Sequence, residues 1–296
     1  MAEAGGEEVN AQRETEESNV KSPNIQELVK NCRCSRIEVL PRHKDVKYKI
    51  DRKKKGLCLI FDEAKFEEGE EKVIPRPGTE VDRNRVAFEF KQFDFDVNIY
   101  ENPTRQKIED TLEKVPEEHS GKDCFFFFFL SHGSAHHFTA YDGAIPLKDL
   151  IKPLKGQLKG KPKIVVLQAC QDFDKEDPRI DEKEWHYGIA SYPDIFFVAS
   201  ALTGFKAFRT ESGTPFIQTI CSVFRNSITV AEETSPDLET LIIAVTRHVA
   251  ILFEAPEKYK QAITYFSTLT GKVFLTKNAP DPGQDTTISE VHPPQT

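Results

Sequence analysis

Five consecutive phenylalanines, Phe125 to Phe129, stand between Cys124 and Leu130. A run of this kind offers no polar face to water. As a strand it must be covered on both sides, which is the condition inside a parallel sheet flanked by helices. Three further buried-strand runs repeat the signal: Lys55–Phe61, Lys163–Leu167 and Ile195–Ala199. Helical periodicity lies between and after them. Val86, Phe90 and Phe93 share a face over 80–93, and Ile108, Leu112 and Val115 share one over 104–115. Pro215 suits the first turn of a helix with Phe216, Ile217, Ile220 and Phe224 facing inward. Residues 237–253 carry a stripe of Leu238, Leu241, Ile242, Val245, Val249 and Leu252. Val97 and Ile99 mark another strand, and Lys272-Val273-Phe274-Leu275 a last one. Alternating strands and helices define an α/β chain with helices on both faces of its sheet.

Charge and cysteine usage narrow the function. With 40 basic and 48 acidic residues the net charge is −8. That balance argues against nucleic acid or an anionic membrane as the main partner. No apolar run approaches the roughly 18 residues needed to span a bilayer. The start of the chain is acidic and polar, unlike a secretory or mitochondrial leader. A cytoplasmic address is the expectation. Cys32, Cys34, Cys58, Cys124, Cys170 and Cys221 form no CxxC pair, so six free thiols are expected in a reducing compartment. His132, His136 and His137 sit in a loop without a paired carboxylate, so neither a metal nor another cofactor is expected. Five lysines between Lys152 and Lys163 come without aromatic residues and read as a solvated loop.

Two of the buried runs end in reactive side chains. The Phe-rich strand leads into Ser131-His132-Gly133, and the second run leads through Gln168-Ala169 to Cys170. Open parallel sheets bind ligands at the carboxyl ends of their strands. Neighbouring strands lie about 4.8 Å apart. If these two pair, His132 and Cys170 face one another across one crevice, as a base and a thiol nucleophile require. Either residue alone has a simpler reading, a packed thiol or a satisfied polar side chain. Residues 171–193 lie between two core strands, yet are charged and short of aliphatic groups. A loop of that length in a compact domain is usually functional or cleavable.

Gln168-Ala169-Cys170-Gln171 after a buried strand resembles the active-site signature of the caspases. The resemblance runs in order through most of the chain. Ser131-His132-Gly133 looks like the caspase histidine motif, and Arg76-Pro77-Gly78-Thr79 with Asp82 looks like the large-subunit Arg-x-Gly-Thr-x-x-Asp. Gly204 to Arg209, then Gly213 and Phe216-Ile217-Gln218, is similar to the substrate loop and the helix after it. Arg247-His248-Val249-Ala250 and Phe253-Glu254 match the last helix. The resemblance implies a caspase-like α/β sandwich with a central, mostly parallel six-stranded sheet flanked by helices. It implies a short prodomain (1–45), a large-subunit region (46–172), an intersubunit linker (173–193), a small-subunit region (194–278) and a disordered tail (279–296).

It also implies an executioner-like cysteine endopeptidase that cuts protein substrates after exposed aspartate during apoptosis. Cys170 would attack, His132 would protonate the leaving amine, and the N–H groups of Gly133 and Cys170 would hold the oxyanion. Arg76 and Arg209 would grip the aspartate carboxylate with Gln168 beside them, since a planar guanidinium binds a carboxylate in a fork that lysine cannot form. Phe208 would line a neighbouring subsite. The family pairs two such units through the last strand, placed here near 272–276, as a homodimer or a heterodimer with a related caspase. Inhibitor-of-apoptosis proteins are a further implied partner. Asp172, Asp174 and Asp181 are the linker positions at which cleavage would occur.

Asp172, Lys206, Pro215 and a linker whose aspartates precede Lys175, Pro178 and Glu182 favour a second reading. Asp172 stands where the family commonly has glycine, and its charge opposes a thiolate nearby. Lys206 and Phe208 occupy the substrate loop where aromatics are usual, and Pro215 replaces a tryptophan of executioner members. The alternative is therefore a catalytically weak, caspase-like regulator that dimerises with active relatives.

Overall fold

The computed structural model describes residues 46–51, 54, 56–67, 76–134, 137–154, 158–170, 192–202, 204–253 and 260–277. All of them belong to one compact unit that begins at Val46. The expected prodomain, nearly all of the linker and the tail lie outside the described residues.

In chain order the elements are β1 (Gly56–Asp62), α1 (Thr79–Gln92), β2 (Phe95–Glu101), α2 (Arg105–Glu118) and β3 (Phe125–Leu130). Next come β4 (His137–Ala140), β5 (Gly143–Pro146), α3 (Leu147–Ile151), β6 (Lys163–Gln168) and β7 (Ile195–Ala199). The last three are α4 (Pro215–Ser227), α5 (Leu238–Leu252) and β8 (Thr264–Ser267). Six strands form one sheet in the order β2-β1-β3-β6-β7-β8. Every pairing is parallel except the last, β7 with β8. β4 and β5 make a separate antiparallel hairpin.

The apolar runs occupy the middle of the sheet because all their residues are buried. Side chains alternate between the faces. Cys58, Phe126, Ile164 and Phe196 sit level across four strands and pack under α1, α4 and α5. Leu59, Phe127, Val165 and Phe197 sit one step on and pack under α2 and α3. On the first face Phe90 of α1 meets Phe126 and Phe128 edge-on, with ring centroids 4.7 and 5.2 Å apart. Burying one such ring stabilises the fold by about 1.5–3 kcal/mol. The phenylalanine run thus divides its rings between two cores.

The helices begin where side chains cap them. Thr104 accepts a hydrogen bond from the Lys107 amide at 3.2 Å, and Thr214 from that of Ile217 at 3.3 Å with Pro215 at the first turn. Asp237 accepts from the Thr240 amide at 3.1 Å and pairs with Lys272 at 3.0 Å.

One strand lies elsewhere than expected. The sixth strand is Thr264–Ser267, whereas 272–275 joins no sheet. Lys272 instead makes a bridge to Lys47, and Phe274 one to Asp237. Val273 and Leu275 are buried, which explains their alternation, but the segment's backbone ties Val46–Tyr48 to the start of α5. The true edge strand is only half covered and includes Thr264 and Ser267, so it lacks an apolar run. The β4–β5 hairpin and α3 were also not anticipated. They are too short to show a period.

Candidate active site

β3 and β6 are neighbours in parallel register, with Leu130 opposite Gln168. Both strands therefore stop at the same level, and the Ser131 amide still donates to the Gln168 carbonyl at 3.1 Å. The next residues are each held by backbone. The Thr139 amide donates to the His132 carbonyl at 3.0 Å, and Gly133 bridges to Phe138 in the hairpin. The His132 ring lies 5.4 Å from that of Phe66. A Cβ at Gly133 would come within 2.9 Å of the Ala169 Cβ and 3.4 Å of the Cys170 carbonyl oxygen. Glycine is required there because the turn is pressed between the His137 carbonyl oxygen, 2.7 Å from such a Cβ, and the segment that carries Cys170.

Cys170 is positioned from the next strand along. The Ser200 hydroxyl, just past β7, donates to the Ala169 carbonyl at 3.0 Å and accepts from the Ala169 amide at 3.2 Å. Cys170 itself is half-buried, with Sγ 3.8 Å from the Ala207 carbonyl oxygen. Cys58, Cys124 and Cys221 are fully buried, and desolvation pushes their thiols far above the ordinary range. Among the described cysteines, Cys170 is the one that reaches the surface.

The arginines come from loops. Arg76 is 2% exposed and donates to the Glu63 carbonyl at 2.9 Å and to Thr79 Oγ1 at 3.0 Å. Thr79 in turn donates to Asp62 at 2.5 Å. Burial and the nearby charge of Arg209 lower Arg76 to about 10. Arg209 is half-buried and is also lowered by desolvation, although Cys170 and Asp82 oppose the shift.

A second buried carboxylate joins the two halves of this region. Asp82 of α1 accepts the Thr214 amide with both oxygens at 3.0 Å and the Gln218 side chain at 2.7 Å. Gly78 (φ +82°) and Gly213 (φ +98°) make the approach possible. A Cβ at Gly78 would lie 2.5 Å from the Thr210 carbonyl oxygen, and one at Gly213 would lie 2.4 Å from Asp82 Oδ1. The Arg-x-Gly-Thr-x-x-Asp pattern thus has a physical basis: an arginine to project, a left-handed turn, and a carboxylate to clasp the start of α4.

These elements close on a cleft of about 230 Å³ lined by Arg76, Ser131, His132, Gln168, Ala169, Cys170, Ala207, Phe208 and Arg209. Six of the expected site residues line it, and Gly133 packs against Ala169 at its side. Gln168 is buried at the end of β6, and its Oε1 has no hydrogen-bond partner among the described residues. The Phe208 ring rests 5.3 Å from Phe253. Asp172, Asp174 and Asp181 lie outside the described residues.

Three contributors were not singled out from sequence. Gln261 is buried and donates to the Ser200 carbonyl at 2.7 Å while accepting from the Phe208 amide at 3.2 Å. Ser200 and Gln261 therefore join the cysteine-bearing strand end to the loop that carries Arg209. Glu63 is buried beside Asp62, and desolvation with that neighbouring charge raises it to about 9. An isolated polar residue in a loop gives no periodic signal. The mark that could have pointed to Glu63 is its place directly after a fully apolar strand.

A mostly parallel sheet whose adjacent strands end in a histidine turn and a half-buried cysteine defines an α/β protein with the layout of a thiol hydrolase. Residues 55–274 match the caspase domain family model. The chain belongs to the caspase family, and by family it is a caspase-like cysteine protease. It is 31% identical over 205 residues to caspase-6 of Bos taurus, covering 60% of this chain and 68% of that one. It is 30% identical over 247 residues to caspase drICE of Drosophila melanogaster, covering 75% and 69%. Among solved structures, caspase-1 of Spodoptera frugiperda superposes with a TM-score of 0.67 at 25% identity, covering 81% of this chain and 97% of that structure. Among the described residues, no helix is long and apolar enough to cross a membrane.

Proposed function

We propose that the chain is an endopeptidase that cleaves protein substrates after aspartate, in the manner of an executioner caspase in apoptosis. The convergence of Arg76 and Arg209 on the cleft that also holds Cys170 and His132 carries this reading. The two guanidinium groups, with Gln168 beside them, suit a carboxylate side chain.

His132 takes the thiol proton, and the Cys170 sulfur attacks the carbonyl carbon of the aspartate. The carbonyl electrons move to oxygen, where the N–H groups of Gly133 and Cys170 stabilise them. The oxyanion collapses, the C–N bond breaks, and His132 passes its proton to the leaving amine. Water then attacks the thioester, giving up a proton to His132, and the acid and the free thiol are released. Phe208 borders the next subsite. Dimerisation with a second copy or a related caspase, cleavage after Asp172, Asp174 or Asp181, and capture by inhibitor-of-apoptosis proteins belong to the same proposal.

One observation favours a second reading. Asp172 stands two residues after Cys170, and a carboxylate there disfavours the thiolate. On that reading the chain regulates active relatives by dimerising with them. A peptide library with aspartate at P1, read against Cys170→Ala, decides between the two. Cys170-dependent cleavage after Asp supports the protease; no turnover by the wild-type protein, even after forced dimerisation, leaves the regulator.

A further inference from the structure

The end of β1 carries a buried carboxyl group that the proposed mechanism leaves unused. Glu63 is 0% exposed. Its backbone is pinned on both sides. The amide donates to the Leu130 carbonyl at the end of β3, and the carbonyl accepts from Arg76 Nη1, each at 2.9 Å. The carboxyl is not held in this way: neither of its oxygens has a hydrogen-bond partner among the described residues. The carboxylate before it is already engaged. Asp62 accepts from the Thr79 hydroxyl at 2.5 Å and pairs with Arg83 at 3.3 Å, while Arg76 Nη1 stands 4.0 Å away.

The charges that face the Glu63 carboxyl are Asp62 on its own strand, Arg76 from the loop before α1, and Asp142 from the turn between β4 and β5. The Tyr141 amide approaches from that same turn. An ionised carboxylate there would be desolvated, without a hydrogen-bonded partner among the described residues, and repelled by both aspartates. The neutral acid is the form that fits, and burial with the charge of Asp62 raises Glu63 to about 9 accordingly.

Arg76 is the residue this affects. Its Nη1 is taken by the Glu63 carbonyl and Thr79, while its buried Nε has no partner among the described residues. It lines the cleft together with Arg209. With Glu63 neutral, Arg76, Arg209 and Arg83 stand against the buried carboxylates Asp62 and Asp82, an excess of one positive charge. An aspartate side chain entering the cleft neutralises that excess. An ionised Glu63 would cancel it before the substrate arrived.

We propose that Glu63 is a positioning residue for aspartate recognition that acts through Arg76: held as the neutral acid, it leaves one positive charge of the cleft to the substrate carboxylate, and its ionisation withdraws that charge. The inference rests on reading Arg76 and Arg209 as the grip on the aspartate side chain. By linkage, a bound aspartate makes the Glu63 proton harder to remove.

The test uses two labelled peptides, otherwise identical and uncharged, with Asp or Asn at P1. Their affinity is read by fluorescence anisotropy from about pH 7 to about pH 9.5. The full chain carries Cys170→Ala, which removes the titrating thiol, with and without Glu63→Gln. The Asp peptide should weaken about threefold across that range and the Asn peptide should not, because most of the Glu63 carboxyl is ionised at the upper end. Arg76 is lowered only to about 10, so its own loss of charge comes later and is common to all the proteins. In Glu63→Gln the Asp peptide should lose its slope. Where Glu63→Gln does not fold, Glu63→Leu serves, since it too has no proton to lose. A flat Asp profile, a slope shared by the Asn peptide, or a slope kept in these variants overturns the inference. Turnover by the wild-type protein is measured alongside. Turnover with a flat affinity profile leaves the protease reading standing without Glu63. A slope specific to Asp and dependent on Glu63, without turnover, sinks the protease reading and supports the inference. Failure of the Asp peptide to bind at all overturns the arginine grip and the inference with it.

Discussion

The two halves of the proposed active site are built in different ways. The His132–Cys170 side is an extension of the sheet. Two parallel strands in register stop together, and hydrogen bonds from the Thr139 amide and the Ser200 hydroxyl hold the residues just past their ends. The arginine side is made of loops joined across long stretches of chain by buried polar groups. Asp82 reaches Thr214 and Gln218, and Gln261 reaches both Ser200 and Phe208. The first arrangement inherits its precision from a rigid core. The second depends on each buried hydrogen bond being made, since an unpaired buried polar group costs about 1–3 kcal/mol. The chemistry therefore rests on packing, and recognition rests on electrostatics.

The sharpest way to break this comparison is at the chemical half. Cys170→Ala or His132→Ala should lower cleavage after Asp by about 10³-fold or more, while leaving thermal stability nearly unchanged. Steady-state kinetics with a parallel melting curve reads both. A variant that keeps a tenth of its activity would remove that residue from the mechanism.

On the recognition half the expected loss is next in size. Arg209→Lys keeps the charge and removes the fork, so kcat/KM for aspartate substrates should fall by about 10²-fold. The same enzyme should then discriminate less between Asp and Asn at P1. An unchanged Asp-over-Asn ratio would show that Arg209 does not grip the carboxylate.

How much of the molecule was legible in the sequence divides along the same line. Buried runs such as Phe125–Phe129 can only be central strands, so the sheet, both helical faces and the two reactive strand ends were all readable. Pairing of β3 with β6 stood as a condition, and the register satisfies it. The edge of the sheet was misplaced because a half-covered strand such as Thr264–Ser267 resembles a loop in its composition, while Val273 and Leu275 are buried outside any sheet. The arginines were located through family resemblance, not through periodicity. Gln261, Ser200 and Glu63 stayed hidden because a single buried polar residue is defined by partners distant in sequence.

Asp82 tests whether the loop half is as dependent on its hydrogen bonds as this contrast requires. Asp82→Ala leaves the Thr214 amide and the Gln218 side chain without their acceptor and should destabilise the fold by about 2–4 kcal/mol. Its effect on substrate should appear first in KM, because the start of α4 and the turn before it lose their anchor. Urea unfolding together with kinetics at permissive temperature separates the two. Loss of stability with KM unchanged would detach the clasp from recognition.

The smallest expected effect carries a sign that only pH can reveal. Burial and the charge of Asp62 raise Glu63 to about 9, so the folded protein binds a proton that the unfolded chain, with a carboxyl near 4.5, releases. The stability tied to this proton is fully present below the unfolded value and is lost as pH rises through about 9. Glu63→Gln keeps the shape and removes the titration. Its gain is offset in part because a buried amide also wants partners, leaving a net stabilisation of about 1–2 kcal/mol at pH 8. Near pH 4.5 the advantage should vanish. Melting temperatures of the two proteins across that range should therefore converge toward acid and separate toward base. A constant separation would mean that Glu63 keeps one charge state across that range.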